Sequence, residues 1–191
     1  MRYQTSLIRR GTNVWELRHE NGTTEDIVQT VLYGDKKSAW YTTKFAPTLK
    51  GRTVLSTVKN IWSFLKTEVP YVLDPKGVQY IKSPGKLLDD RAGDCKSFSV
   101  FAGSVLQNLR IPFRYRFTSY APGDPTPTHV YIIVEGPEGD IVLDAVWKGP
   151  FATEKKYEYK TDRYGVKVKK TSNVSVKKVS GIGGIGSLII K

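Results

Sequence analysis

Residues 93–112, GDCKSFSVFAGSVLQNLRIP, write both ends of a helix into one short stretch. Asp94 is a good N-cap by type, because its carboxylate can accept from the unpaired amides of the first turn, and Pro112 prevents the helix from continuing. Between them Phe98, Phe101, Ala102, Val105 and Leu109 recur at the three-and-four spacing of one helical face. Ala102, Gly103 and Ser104 give up some helix propensity but allow close approach to a neighbour. The spacing therefore predicts a buried helix packed on a sheet, with Cys95 in its first turn.

Downstream of it, FRYRFTSY (113–120) alternates as a strand, APGDPTPT (121–128) is turn-rich, and HVYIIVEG (129–136) and DIVLDAV (140–146) are β-branched runs joined through Gly136-Pro-Glu-Gly139. Upstream, VLSTVKNIWSFLKTEV (54–69) places Val54, Leu55, Val58, Ile61, Trp62 and Leu65 on one helical stripe that Pro70 ends. TTEDIVQTVLYG (23–34) predicts a short helix carrying Ile27, Val31 and Leu32. Residues 71–93, punctuated by Pro75, Gly77, Pro84 and Gly85, read as a long loop running past a site. A helix followed by three antiparallel strands is an α+β layer. The organisation predicted is an N-terminal helical and irregular region over 1–53, a core over 54–150 and a basic extension over 151–191.

The 191 residues suit one core, and an apolar fraction of 39% excludes wholesale disorder. The lone Cys95 excludes internal disulfides and multi-cysteine metal sites, and neither a metal nor a cofactor is expected. The first residues lack the apolar stretch of a signal peptide, and no run approaches a membrane span, so a soluble, cytoplasmic protein is expected. The net charge of +12 is concentrated at one end: residues 155–191 hold ten Lys or Arg against Glu158 and Asp162. Such a tail suits an acidic partner or phosphates, though solvation alone also explains it. Tyr157, Tyr159 and Tyr164 are too few for a base-stacking platform, which makes nucleic acid the weaker partner.

A free thiol is only a few per cent ionised at neutral pH, so a nucleophilic cysteine needs a positive field or a paired imidazole. At a helix N-terminus Cys95 has unpaired amides beside it, which can also receive an oxyanion. His129 opens one strand and Asp144 lies near the end of its hairpin partner. With Glu135 opposite Asp140, His129 would oppose Val146, leaving Asp144 as a diagonal neighbour on the same face. A Cys95, His129, Asp144 triad is thus geometrically allowed. Each residue alone has a blander reading as buried thiol, strand histidine or turn cap. Their coincidence favours the triad.

SPGKLLDDRAGDCKSFSVFAGSVLQNLRIPFRYRF, THVYIIV and IVLDAV resemble the transglutaminase-like, papain-related cysteine enzyme core, over about residues 55–148. The resemblance implies a papain-like α+β fold and acyl transfer from a peptide or glutamine amide through a thioester, with Cys95, His129 and Asp144 at the family's motif positions. It favours hydrolysis of a protein or peptide substrate over crosslinking, by analogy with size. It also implies Gln79, sixteen residues before Cys95, as the second oxyanion donor beside the Cys95 amide, with the Trp62 indole as an alternative better read as core. Asp89, Asp90 and Asp94 read as caps rather than a cation site, His19 is unassigned, and Lys44 and Lys50 join the tail as candidate contacts for an acidic partner. Small proteins with this ending also resemble those of tailed phages, which implies a virion or prophage setting. The alternative of a different class is a catalytically idle structural or binding module of this fold, held to a capsid, a tail or nucleic acid by its basic arm.

Overall fold

The computed structural model describes residues 3–11, 14–17, 23–75 and 79–166. His19 and residues 167–191, most of the basic extension, lie outside the described residues. Among the described residues four α-helices, α1 (Thr24–Thr42), α2 (Val54–Glu68), α3 (Pro84–Asp90) and α4 (Cys95–Asn108), combine with six strands: β1 (Val14–Leu17), β2 (Gln79–Lys82), β3 (Phe113–Ser119), β4 (His129–Gly136), β5 (Gly139–Leu143) and β6 (Tyr159–Arg163). β1 and β2 form an antiparallel pair, and the main sheet runs β5-β4-β3-β6 with every neighbour antiparallel. The fold class is α+β.

Each helix start is explained locally. Thr23 and Asp26 cap α1 reciprocally, as do Thr53 and Ser56 for α2, so two orphan donors are satisfied at each end. Asp94 accepts from the amides of Lys96 and Ser97 and starts α4 where the sequence places it. α4 is buried on all sides from Cys95 to Leu106, the mark of a helix inside the core rather than on its surface. One face meets β4, where the Ser99 hydroxyl donates to the Val130 carbonyl at 3.1 Å. Another meets α1, and a third carries Phe101 into a stack with Phe64 of α2 at 5.2 Å. Gly103 shows why the middle of α4 is small: a Cβ there would lie 2.5 Å from the Tyr115 hydroxyl and 2.9 Å from the Asp35 carboxylate.

Three expectations are corrected. The helix expected within 23–34 runs on to Thr42, because its polar residues Asp35 and Ser38 are buried and hydrogen-bonded and so hide the apolar period. Residues 71–93 are not one loop: they contain β2 and α3, and Pro84, read as punctuation, is the first residue of a helix capped by Ser83. The extension does not begin outside the fold, since β6 pairs with β3 and Asp162 is gripped by Arg114 and Arg116 at 2.8 Å.

Asp35 ties the layers together. Its Oδ1 accepts from the fully buried Tyr115 hydroxyl at 2.7 Å, and its Oδ2 accepts from the Val166 amide at 2.8 Å. Burial raises its carboxyl above the ordinary range, against the pull of these donors. Asp35→Ala would strand those donors, and the relief of a buried charge offsets only part of that loss. The expected result is a destabilisation of about 2 kcal/mol, seen as a lower urea midpoint with an unchanged slope.

Candidate active site

The Ser99 hydrogen bond to the first residues of β4 sets the site. Cys95 lies one helical turn before Ser99 on the same face, which brings it over His129, the first residue of the strand. The two side chains lie close enough for Cys95 to raise the His129 pKa. Its Nε2 is 2.8 Å from Asp144 Oδ2, leaving Nδ1 for the thiol. Cys95 and Asp144 are buried, and the His129 side chain keeps 12% of its surface open.

The hairpin register explains the approach of Asp144. Glu135 pairs with Asp140 and Ile132 with Leu143, the register the sequence predicts, with Gly136 and Gly139 themselves paired about a Pro137-Glu138 turn. Asp144 lies one residue past the end of β5 and bends the chain there: its Oδ1 accepts from the amides of Val146 and Trp147, at 2.9 and 3.1 Å. One oxygen thus holds the bend and the other holds His129. Helix α2 fastens the same bend from outside, through Trp62 Nε1 to the Asp144 carbonyl at 2.9 Å and Lys66 Nζ to the Trp147 carbonyl at 2.6 Å. The Trp62 indole, considered as an oxyanion donor, is committed to the backbone beneath Asp144. Its role was hidden because a tryptophan on an apolar stripe reads as core.

Electrostatics favour a charged imidazole. Burial acts to lower the His129 pKa, but the hydrogen bonds and charges of Asp144 and Cys95 prevail and push it up to about 9. The Asp144 carboxyl moves the other way: burial opposes its ionisation, yet His129 and the two amides hold it below the ordinary carboxylate range. Tyr71, edge-on to Phe98 at 6.2 Å, borders the site and is pushed up to about 12, first by burial and then by its electrostatic interactions with Cys95, Asp94, Asp144 and Asp74.

Cys95 and His129 line a cavity of about 70 Å³ together with Gln79, Lys96, Phe117 and Pro127. Gln79, expected in a loop, is the first residue of β2. Asp94 takes the amides of Lys96 and Ser97, and among the described residues no acceptor takes the Cys95 amide. Cys95, His129 and Gln79 thus border one small space at the N-terminus of α4. Asp90 pairs with Lys82 and Lys86, and Asp89 with Arg10. Among the described residues no group of three His, Cys, Asp or Glu is arranged to hold a metal ion, and no described helix is long and apolar enough to cross a membrane.

Solved structures similar to this chain are so at low identity. A protein of Parabacteroides distasonis provisionally named a protease is 12% identical, with a TM-score of 0.54 over 71% of this chain and 31% of its own. A provisionally named cysteine protease of Cytophaga hutchinsonii is 23% identical, with a TM-score of 0.47 over 63% of this chain and 42% of its own. LapG of Legionella pneumophila is 22% identical, with a TM-score of 0.45 over 66% and 72%. The chain thus spans less than half the length of the first two, and its likeness to the Parabacteroides protein is one of fold. No curated protein matches the sequence. The sequence profile of the transglutaminase-like superfamily, in contrast, aligns with residues 42–145, from the end of α1 to just past Asp144. That is more than half of the chain, and the chain belongs to the transglutaminase-like superfamily.

Proposed function

We propose that the protein is a cysteine acyl-transfer enzyme that cleaves peptide or glutamine amides through a thioester, with water as the favoured acceptor. The observation that supports it most is that His129, held by Asp144 at 2.8 Å, lines one small cavity together with Cys95. His129 Nδ1 takes the thiol proton, and the sulfur adds to the amide carbonyl. The resulting oxyanion is held by the Cys95 N–H and the Gln79 side-chain amide. Collapse breaks the carbon–nitrogen bond, and the imidazolium gives its proton to the departing amine. Water, deprotonated by His129, then adds to the thioester and releases a carboxylic acid and the free thiol. Asp144 keeps the proton on Nε2 throughout, so that Nδ1 is the atom that accepts and donates. Hydrolysis is favoured because water needs no binding surface of its own, whereas an amine acceptor does.

The test uses casein and a blocked Gln-Gly peptide, with and without hydroxylamine. New amino termini or ammonia should appear, hydroxylamine should divert part of the acyl group to a hydroxamate, and both should vanish in Cys95→Ala. Turnover that survives Cys95→Ala, or a wild type inert toward both substrates, would contradict the proposal.

A further inference from the structure

Lys96 follows Cys95 in α4, yet its side chain is buried, which is rare for a lysine without partners. It has two. Its Nζ bonds Asp94 Oδ2 and lies 3.2 Å from Asp74 Oδ2. Asp94 is the helix cap, its Oδ1 accepting from the Lys96 amide at 3.1 Å, so one carboxylate serves both the cap and the ammonium. Asp74 Oδ2 also accepts from the Tyr80 amide at 2.8 Å. Two residues further on, the Lys82 amide donates to the Ser97 hydroxyl at 3.0 Å.

These contacts join the first turn of α4 to the backbone immediately after Gln79. Tyr80 hangs from Asp74, Asp74 from Lys96, and Lys96 from the cap of the helix that carries Cys95. Without the ammonium, the buried Asp94 and the part-buried Asp74 would repel each other beside a site that must accept negative charge. The burial of Lys96 would oppose its charge, but the two carboxylates and Cys95 outweigh that and hold its pKa above the ordinary lysine value.

We propose that Lys96 is a positioning residue that locks Asp74 to the α4 cap and so holds Gln79 in the cavity it shares with Cys95. The inference rests on the acyl-transfer reading and adds to it the part that fixes the second oxyanion donor. It predicts that the loss of kcat on removing Lys96 comes through Gln79, over and above the coupling of the Lys96 charge to Cys95.

The experiment is a double-substitution cycle in the full chain: wild type, Lys96→Met, Gln79→Ala and the pair, each measured for kcat, KM and the rate at which iodoacetamide alkylates Cys95. Lys96→Met is expected to lower kcat by about 10- to 100-fold with KM within about twofold. Gln79→Ala should lower it by about 100-fold or more. The pair should be no slower than Gln79→Ala alone, the non-additivity of residues acting as one unit. Lys96→Arg should recover part of the loss, and Cys95 alkylation, which senses the Lys96 charge directly, should fall by much less than kcat in Lys96→Met and not at all in Gln79→Ala. Asp74→Asn, which keeps an acceptor for Tyr80 but removes the charge facing Lys96, breaks the link from the other end and replaces Lys96→Met in the cycle if that variant does not fold. Equal fold-losses from Lys96→Met with and without Gln79, no loss at all, or alkylation falling in step with kcat would overturn the proposal. Failure of the acyl-transfer reading is separately visible, as slow alkylation of wild-type Cys95 below pH 7.

Discussion

Replacing His129 with alanine is expected to reduce kcat/KM by about 1,000-fold or more while leaving the fold intact. The imidazole has two tasks in the proposed reaction, removing the thiol proton and delivering a proton to the leaving amine, and general acid–base roles of this kind are each worth roughly 100- to 10,000-fold. Structural damage should be small, because His129 opens β4 at the mouth of a cavity and the core side of the strand is built by Val130, Ile132 and Val134. The variant should also alter the stability profile in a defined direction. In the folded protein His129 has a pKa of about 9 against an ordinary 6.5, so its charged form stabilises the fold fully below pH 6.5, and that contribution disappears as the pH rises through about 9. The Asp144 contribution is present above the ordinary 3.8 and disappears as the pH falls through its lowered value. The stability gap between wild type and His129→Ala should therefore be widest near pH 5 to 6 and close toward pH 9, as read by urea denaturation.

Asp144→Asn is the second large effect, expected to cost about 100- to 10,000-fold in kcat. Asp144 needs acceptors on both sides, Oδ2 for His129 and Oδ1 for the amides of Val146 and Trp147. A carboxamide has one acceptor. Keeping it on the two backbone amides turns the NH₂ toward His129 Nε2, which drives the ring proton to Nδ1, the nitrogen that must receive the thiol proton. The carboxylate charge is lost as well, so the burial that lowers the His129 pKa is no longer opposed by it. The alkaline limb of the pH–rate profile, expected near pH 9 for the wild type, should move to lower pH in Asp144→Asn. An unmoved limb, or a loss below about tenfold, would show that Asp144 neither orients nor charges the imidazole.

The parts of this site readable in the sequence were those fixed by short-range rules. The α4 cap and the proline beyond its end are local signals, and the register of β4 and β5 follows from counting outward from Glu135 and Asp140. What escaped was set by partners distant in sequence. Residues Gln79 to Lys82 are too few to show a period, and their strand exists because β1 pairs with them. Tyr159 to Arg163, mostly polar, form a strand because Arg114 and Arg116 of β3 hold Asp162. Lys96 reads as a solvated charge in any window of sequence, and only the packing shows two carboxylates closing on it. Trp62 and Lys66 fall on one face of α2, but that their donors clasp the bend at Asp144 follows from the tertiary fold alone.

In the proposed reaction Cys95 and His129 act as an activated thiolate–imidazolium pair, and the rate of iodoacetamide alkylation against pH, read by intact mass, decides whether they do. With one cysteine in the chain, each added mass unit of label belongs to Cys95. Fast labelling that persists below pH 7 in the wild type and is lost in His129→Ala is the predicted result. Labelling that rises only near the ordinary thiol pKa of about 8.5, with the same profile in both proteins, would contradict the account.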